Sequence, residues 1–186
     1  DYLYNHPIET QRINEMVYEI EKVYHGTPSG IDNTVIVYEK PVIFIKGFGF
    51  STLNADITHL PLLIADTGIR SRTVDVVSDV RANFARNEVL IYEIGSLVRR
   101  ASKVLETGTL AEIGLLMNEN QVLLERLDVS CPELNELIEL ARNQGAYGAK
   151  LTGAGRGGNF IVLCKDKPHA DSIRRVFENR GVHVIS

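Results

Sequence analysis

His25-Gly26-Thr27-Pro28-Ser29-Gly30-Ile31-Asp32-Asn33 holds two glycines, a proline and a lone carboxylate, and it stands between a helical pattern and a β-branched run. Gly26 and Gly30 open backbone angles closed to other residues, while Pro28 fixes its own φ and pushes Thr27 toward an extended conformation. The loop is therefore bent in a definite way. It is expected to hold Asp32 at the mouth of a strand, where a carboxylate can accept a proton from a substrate hydroxyl. Taken alone, Pro-Ser-Gly and Asp-Asn are common turn chemistry, and the bare pattern reads as a connection.

Working outward, Asn5 as a cap and Pro7 in the first turn predict a helix from about residue 7 to Tyr24. Ile13, Met16, Val17 and Ile20 follow the three-four spacing of one buried face. Glu21, near the end of that helix, reads by itself as an exposed acid. On the other side, Thr34-Val35-Ile36-Val37-Tyr38 and Val42-Ile43-Phe44-Ile45 flank Glu39-Lys40-Pro41 and predict a hairpin, which Gly47-Phe48-Gly49 then interrupts.

Further along, Leu60 to Ala65 reads as a buried strand running into Asp66-Thr67-Gly68-Ile69-Arg70-Ser71-Arg72-Thr73, a turn ahead of a helix with Thr73 as its cap. A helical pattern extends from Val74 to Glu106, with Val77, Val80, Phe84, Ile91, Ile94, Val98, Ala101 and Leu105 on one stripe. Asn87 falls where an apolar residue belongs, which predicts a break near Arg86 to Glu88. Gly108 ends the run, and Thr109 with Glu112 forms a capping box for the next helix, which turns Ile113, Leu116, Met117, Leu124 and Leu127 inward. Pro132 opens another helix with Leu134, Leu137, Ile138 and Ala141 on its face, and Gly145 closes it.

Lys150-Leu151-Thr152-Gly153-Ala154-Gly155-Arg156-Gly157-Gly158 is the second glycine-rich stretch, and Gly153, Gly155 and Gly158 satisfy GxGxxG. A dinucleotide site needs a helix after that pattern, so that the pyrophosphate meets free backbone N–H groups. Asn159 to Cys164 is a strand pattern instead, and the dinucleotide reading fails on context. A last helix follows from Lys167-Pro168, with Ala170, Ile173, Val176 and Phe177 buried and Gly181 at its end, before a closing strand at Val182 to Ile185. The order strand, helices, strand, strand, helix, strand predicts an α+β fold, with helices on one face of a mostly antiparallel sheet.

Composition narrows the function classes. The chain has 186 residues, 44% of them hydrophobic, with 20 basic against 24 acidic side chains interspersed. It has no basic tract of the kind that binds nucleic acid or an anionic membrane. Neither the two cysteines nor the five histidines show metal-ligand spacing. No apolar run reaches the roughly 20 residues that span a bilayer, and there is no signal-peptide pattern. A cytoplasmic setting, without nucleic-acid or membrane partners, is the expectation.

Read with Glu21-Lys22-Val23-Tyr24 before it, the opening stretch resembles the HGxPSGxDN motif of the mevalonate branch of the GHMP kinase superfamily. The glycine-rich stretch resembles the third motif of the same superfamily, KLTGAGGGG. The resemblance spans essentially the whole chain. It implies the end of a GHMP kinase N-terminal domain over residues 1–58, followed by a ferredoxin-like α+β sandwich, the C-terminal domain, over residues 59–186. It implies phosphorylation of the primary hydroxyl of mevalonate by ATP, a step of isoprenoid precursor synthesis, with Asp32 as the base and Glu21 as a ligand of Mg2+. It also implies a substrate cleft drawing on His25, Ser29, Arg70, Arg72, Thr73, Gly153, Ala154 and Gly155. Arg70 or Arg72 would pair with the substrate carboxylate, since a guanidinium matches it bidentately. Many relatives pair into homodimers. The family's early lysine segment and Gly-Leu-Gly-Ser-Ser phosphate loop do not occur in these residues. The resemblance thus describes the carboxyl-terminal portion of a longer enzyme, with an incomplete nucleotide site when isolated. The rival readings are a kinase for phosphomevalonate or a sugar, and a non-catalytic module. Arg156 stands where the family usually has glycine. Either its backbone is ordinary, or the arginine brings a charge near the phosphates.

Overall fold

In the computed structural model, which describes residues 8–25, 28–45 and 47–185, the opening loop leads into a helix and not a strand. Helix α1 (Thr10–His25) is followed by α2 (Ile31–Tyr38), then by strands β1 (Val42–Ile45) and β2 (Gly49–Thr52). The expected strand at Thr34 to Tyr38 is therefore helical, and the hairpin is formed by β1 and β2 on the far side of Glu39-Lys40-Pro41, with Phe44 opposite Phe50. The physical reason is local. Gly30 takes φ +91° at the start of α2, and the Ser29 hydroxyl accepts from the Ile31 N–H at 3.2 Å. Thr34 donates back to the Gly30 carbonyl at 2.6 Å, and Asn33 donates to Asn14 of α1 at 2.7 Å. Together these bonds outweigh a β propensity that is weak and context-dependent.

The expected α1 stripe is also rotated. Asn14, Val17, Tyr18 and Glu21 are its half-buried positions, whereas Ile13, Met16 and Ile20 are exposed. Asn5 and Pro7 lie outside the described residues.

Residues Asp1–Ile57 form one compact unit and Thr58–Ser186 a second. In the second, strands β3 (Leu62–Asp66), β4 (Gly148–Leu151), β5 (Asn159–Leu163) and β6 (His183–Val184) form one antiparallel sheet in the order β4-β5-β3-β6. Helices α3 (Thr73–Ala82), α4 (Phe84–Thr107), α5 (Leu110–Arg126) and α6 (Pro132–Asn143) join β3 to β4, and α7 (Lys167–Glu178) joins β5 to β6. This is the ferredoxin-like arrangement expected from the sequence. Leu63, Ala65, Ala149, Leu151, Phe160 and Val162 on one face of the sheet meet Leu134 and Ile138 of α6 and Ile173 and Phe177 of α7 in one buried cluster. Phe160 and Phe177 stack edge to face at 5.4 Å.

The outer edge of β4 would present unpaired backbone groups, a feature that proteins cover. Here α5 covers it with side chains. Asn118 accepts from the Ala149 N–H at 3.1 Å and donates to the Tyr147 carbonyl at 3.1 Å, and the fully buried Gln121 accepts from the Leu151 N–H at 2.9 Å. The approach requires Gly148, where an added Cβ would stand 2.3 Å from the Gly114 carbonyl oxygen of α5.

Helix limits follow the sequence closely in α5, α6 and α7, and the Thr109–Glu112 capping box is present. The α3–α4 boundary falls at Asn83 and not at Arg86 to Glu88. Asn87 is buried inside α4, and Val76, Leu90 and Leu97 are the buried apolar positions of α3 and α4 rather than the expected stripe, from which Val77, Phe84 and Val98 are exposed. Thr73 is the first residue of α3, and its cap position is Arg72.

Candidate functional site

In the second unit, two loops are sewn together. The loop after β3 and the glycine loop between β4 and β5 exchange four bonds. The Thr67 N–H and hydroxyl both donate to the Gly158 carbonyl at 3.0 Å, the Gly158 N–H donates to the Ile69 carbonyl at 2.9 Å, and the Ser71 hydroxyl donates to the Gly155 carbonyl at 2.6 Å. Contact is close enough that a Cβ on Gly157 would meet the Ile69 carbonyl oxygen at 2.7 Å.

Six of the expected site residues lie on these sewn segments: Arg70 and Arg72 on the loop after β3, Thr73 where that loop enters α3, and Gly153, Ala154 and Gly155 on the glycine loop. Arg70 pairs with Asp66 at 3.3 Å and Arg72 with Asp75 at 3.7 Å, and both side chains are about four-fifths exposed. Such exposed pairs hold weakly, leaving the guanidinium groups available to an anionic ligand. Gly153, Gly155, Arg156, Gly157 and Gly158 all have positive φ. Among the described residues, no protein acceptor takes the N–H groups of Gly153, Ala154 and Gly155. Runs of free backbone N–H groups in turned conformations suit anions.

Lys150 sits at the root of this loop. Burial pushes its ammonium down to about 8, and the group donates to the Leu151 carbonyl. Its side chain lines a groove of about 420 Å³ with Leu97, Met117, Leu124, Ile161 and Leu163, where the α4–α5 pair leans over the second face of the sheet.

In the first unit, Asp32 is exposed in the first turn of α2. Its chain neighbour Asn33 is tied to Asn14 of α1, and Glu21 lies two turns beyond Asn14 on the half-buried face of that helix. Ser29 is exposed, and its hydroxyl is engaged at the start of α2. His25 ends α1, while its side chain, together with Gly26 and Thr27, lies outside the described residues. Among the described residues, no three His, Cys, Asp or Glu side chains are grouped as a metal cage. No helix among them is long and apolar enough to cross a membrane.

Sequence reasoning missed Thr67 and Ser71 as stitches, and it missed the partners of Arg156. That residue has φ +53°, pairs with Asp79 of α3, and donates from Nε to the Asp128 carbonyl at 3.0 Å. Of the two readings left open, the ordinary backbone is thus excluded, and the charge is met by Asp79. Ser71 lies inside the quoted Asp66–Thr73 motif, which was the one available signal.

Comparison with known proteins gives a consistent result. Residues 101–183 match the family described as GHMP kinases C terminal. A mevalonate kinase from Aeropyrum pernix is 34% identical over 181 residues, covering 95% of this chain and 56% of that protein. A Pyrococcus abyssi mevalonate kinase is 35% identical over 169 residues, covering 86% of this chain and 50% of that protein. The crystal structure of L. major mevalonate kinase in complex with R-mevalonate superposes with a TM-score of 0.84 at 33% identity, over 95% of this chain and 56% of that one. The chain spans about half the length of the relatives it matches.

Proposed function

We propose that the chain belongs to the GHMP kinases and is part of a mevalonate kinase, an enzyme moving the γ-phosphoryl group of ATP to the primary hydroxyl of mevalonate. The observation that carries this reading is the 33% identity and 0.84 TM-score over 95% of the chain to a kinase crystallised with R-mevalonate.

On this reading the residues take the following roles. Asp32, exposed on a helix start fixed by Gly30 and Asn33, takes or orients the proton of the attacking hydroxyl. The free N–H groups of Gly153, Ala154 and Gly155 bind phosphate oxygens, and Arg70 or Arg72 holds the carboxylate of mevalonate. Thr73, His25 and Ser29 complete the substrate contacts. A single carboxylate such as Glu21 fits Mg2+, which is held by one or two carboxylates together with substrate phosphates and water rather than by a protein cage. When bound, the ion would neutralise phosphate charge; the protein's own share is positioning and electrostatic support, the main sources of rate in phosphoryl transfer. The same reading assigns residues 1–58 and 59–186 to the N- and C-terminal domains of the family, and places a homodimeric enzyme in the cytoplasm.

The test is a coupled assay of ATP- and mevalonate-dependent ADP release by the full-length protein and its Asp32→Asn variant. Loss of a positioned proton acceptor lowers kcat by about 10²–10⁴, with ATP binding by calorimetry unchanged. Near-normal turnover in the variant would refute the role of Asp32. Absence of mevalonate-dependent turnover in the wild type would refute the kinase reading itself.

A further inference from the structure

The glycine loop is held from two sides by different chemistry. Toward the loop after β3 it is held by backbone and hydroxyl bonds from Thr67, Ile69 and Ser71. On the other side the contacts come from Arg156. Its N–H donates to the Val129 carbonyl at 2.9 Å, its Nε donates to the Asp128 carbonyl at 3.0 Å, and its Nη1 pairs with the carboxylate of Asp79. The side chain is one-third exposed, and it joins the loop to α3 and to the α5–α6 turn.

An arginine is costly here for the backbone. At φ +53° a side chain meets the following carbonyl, a penalty of about 1–2 kcal/mol that glycine would avoid. Asp128, which supplies the accepting carbonyl, is itself left-handed at φ +67°. Two non-glycine residues in this conformation, bonded to each other, mean that side-chain contacts offset the strain on both. The guanidinium borders a polar cavity of about 30 Å³, lined also by Asp79, Asn83, Arg86, Asn87, Arg126 and Asp128, with room for one or two waters. The Asp79 side chain is 55% exposed, so dissolved salt reaches the ion pair.

We propose that Arg156 is a positioning residue: it clamps the glycine loop to α3 through Asp79 and to the α5–α6 turn through the Asp128 carbonyl, so that Gly153–Gly155 keep their shape before any ligand arrives. Because α3 starts at Thr73, the clamp closes a ring of β3–α3 loop, α3 and glycine loop, and the six site residues of this unit move as one body. Its consequence for catalysis rests on the kinase reading; the clamp itself does not.

The test is amide hydrogen exchange of this chain and of Arg156→Gly, Arg156→Lys, Asp79→Asn and the Arg156→Gly/Asp79→Asn pair. Arg156→Gly keeps a backbone that tolerates the conformation, so the variant folds. Expected is exchange at the Gly158 N–H about 10-fold faster in Arg156→Gly and about 3-fold faster in Asp79→Asn, while amides of β5 and α7 stay unchanged. The double variant matches Arg156→Gly, Arg156→Lys recovers part of the protection, and about 0.5 M NaCl accelerates the wild type but not Arg156→Gly. Wild-type exchange at Gly158 in both single variants would overturn the clamp, as would a uniform acceleration across the unit. In the coupled assay, Arg156→Gly should lower kcat about 5-fold with KM for mevalonate unchanged. Loosened exchange with an unchanged kcat would overturn the positioning role while leaving Asp32 and the kinase reading intact.

Discussion

Gly30 and Gly155 adopt almost the same left-handed backbone, φ +91° and +89°, in surroundings that have little else in common. Gly155 is buried against the Val129 carbonyl in a unit with a closed core, and its loop is bonded on both sides. Gly30 faces the tip of the Phe44 ring, in a unit whose only buried residues among those described are Gly30, Asn33 and Thr34. A backbone angle is thus imposed in one case by packed main chain and in the other by a few local bonds beneath an aromatic side chain.

The sharpest way to break this comparison is to place the same methyl group at both positions. Each substitution meets the same strain of about 1–2 kcal/mol. At Gly155 an added Cβ would stand 1.9 Å from the Val129 carbonyl oxygen, which cannot retreat without moving the α5–α6 turn. At Gly30 the nearest atom is a ring carbon at 3.0 Å on a side chain that can rotate. Gly155→Ala should therefore cost at least about 3 kcal/mol in urea unfolding, and Gly30→Ala about 1 kcal/mol. Equal losses would remove the distinction between the two loops.

Lys150 gives a second, smaller contrast, one of charge rather than shape. Its ammonium lies at about 8 against an ordinary 10.5 because burial disfavours the charge. At about 1.4 kcal/mol per pKa unit, a displaced group of this kind costs the folded state roughly 3 kcal/mol at pH 7. Lys150→Met should raise stability by about 2 kcal/mol at pH 7. The sign reverses the usual lysine case: the unfolded chain holds this proton more tightly than the folded one. Wild-type stability therefore climbs relative to the variant as pH rises from about 8 toward 10.5. Parallel stability curves for the two proteins across that window would show that Lys150 is solvated.

What was legible in the chain follows the same division. In the second unit, punctuation and period agree with the fold: Gly108, the Thr109–Glu112 box, Pro132, Gly145 and Gly181 mark element ends, and the apolar stripes of α6 and α7 face one core. The sewing of Ser71 to Gly155 and of Arg156 to Asp79 was not legible, because it joins residues 84 and 77 positions apart. In the first unit the local rules misled. Thr34 to Tyr38 is β-branched and aromatic, yet a left-handed Gly30 and the Asn14–Asn33–Thr34 bonds make it helical. Asn87 looked like an interruption; it is a buried polar residue bordering the cavity behind Arg156. The candidate site residues came from the family resemblance rather than from element prediction, because the glycines and the acid after them are recognised as a motif even where the element around them is misread.

The smallest expected effect tests the other half of the comparison. Ile20 is 55% exposed and Val23 82% exposed on the outward side of α1, and neither belongs to the buried cluster of the second unit. Hydrophobic stabilisation scales with the area removed from water, at about 25 cal/mol per Å², so a side chain already in water has little to lose. Lysine is also a good helix former, somewhat better than isoleucine. Ile20→Lys should leave the unfolding free energy of this chain within about 0.5 kcal/mol of the wild type, as read by urea denaturation at low protein concentration. A loss above about 1 kcal/mol would mean that this face is covered in solution. Repeating the measurement over a range of concentrations separates the sources: a loss that grows with concentration belongs to contact between copies, and a constant loss belongs to a contact within one chain.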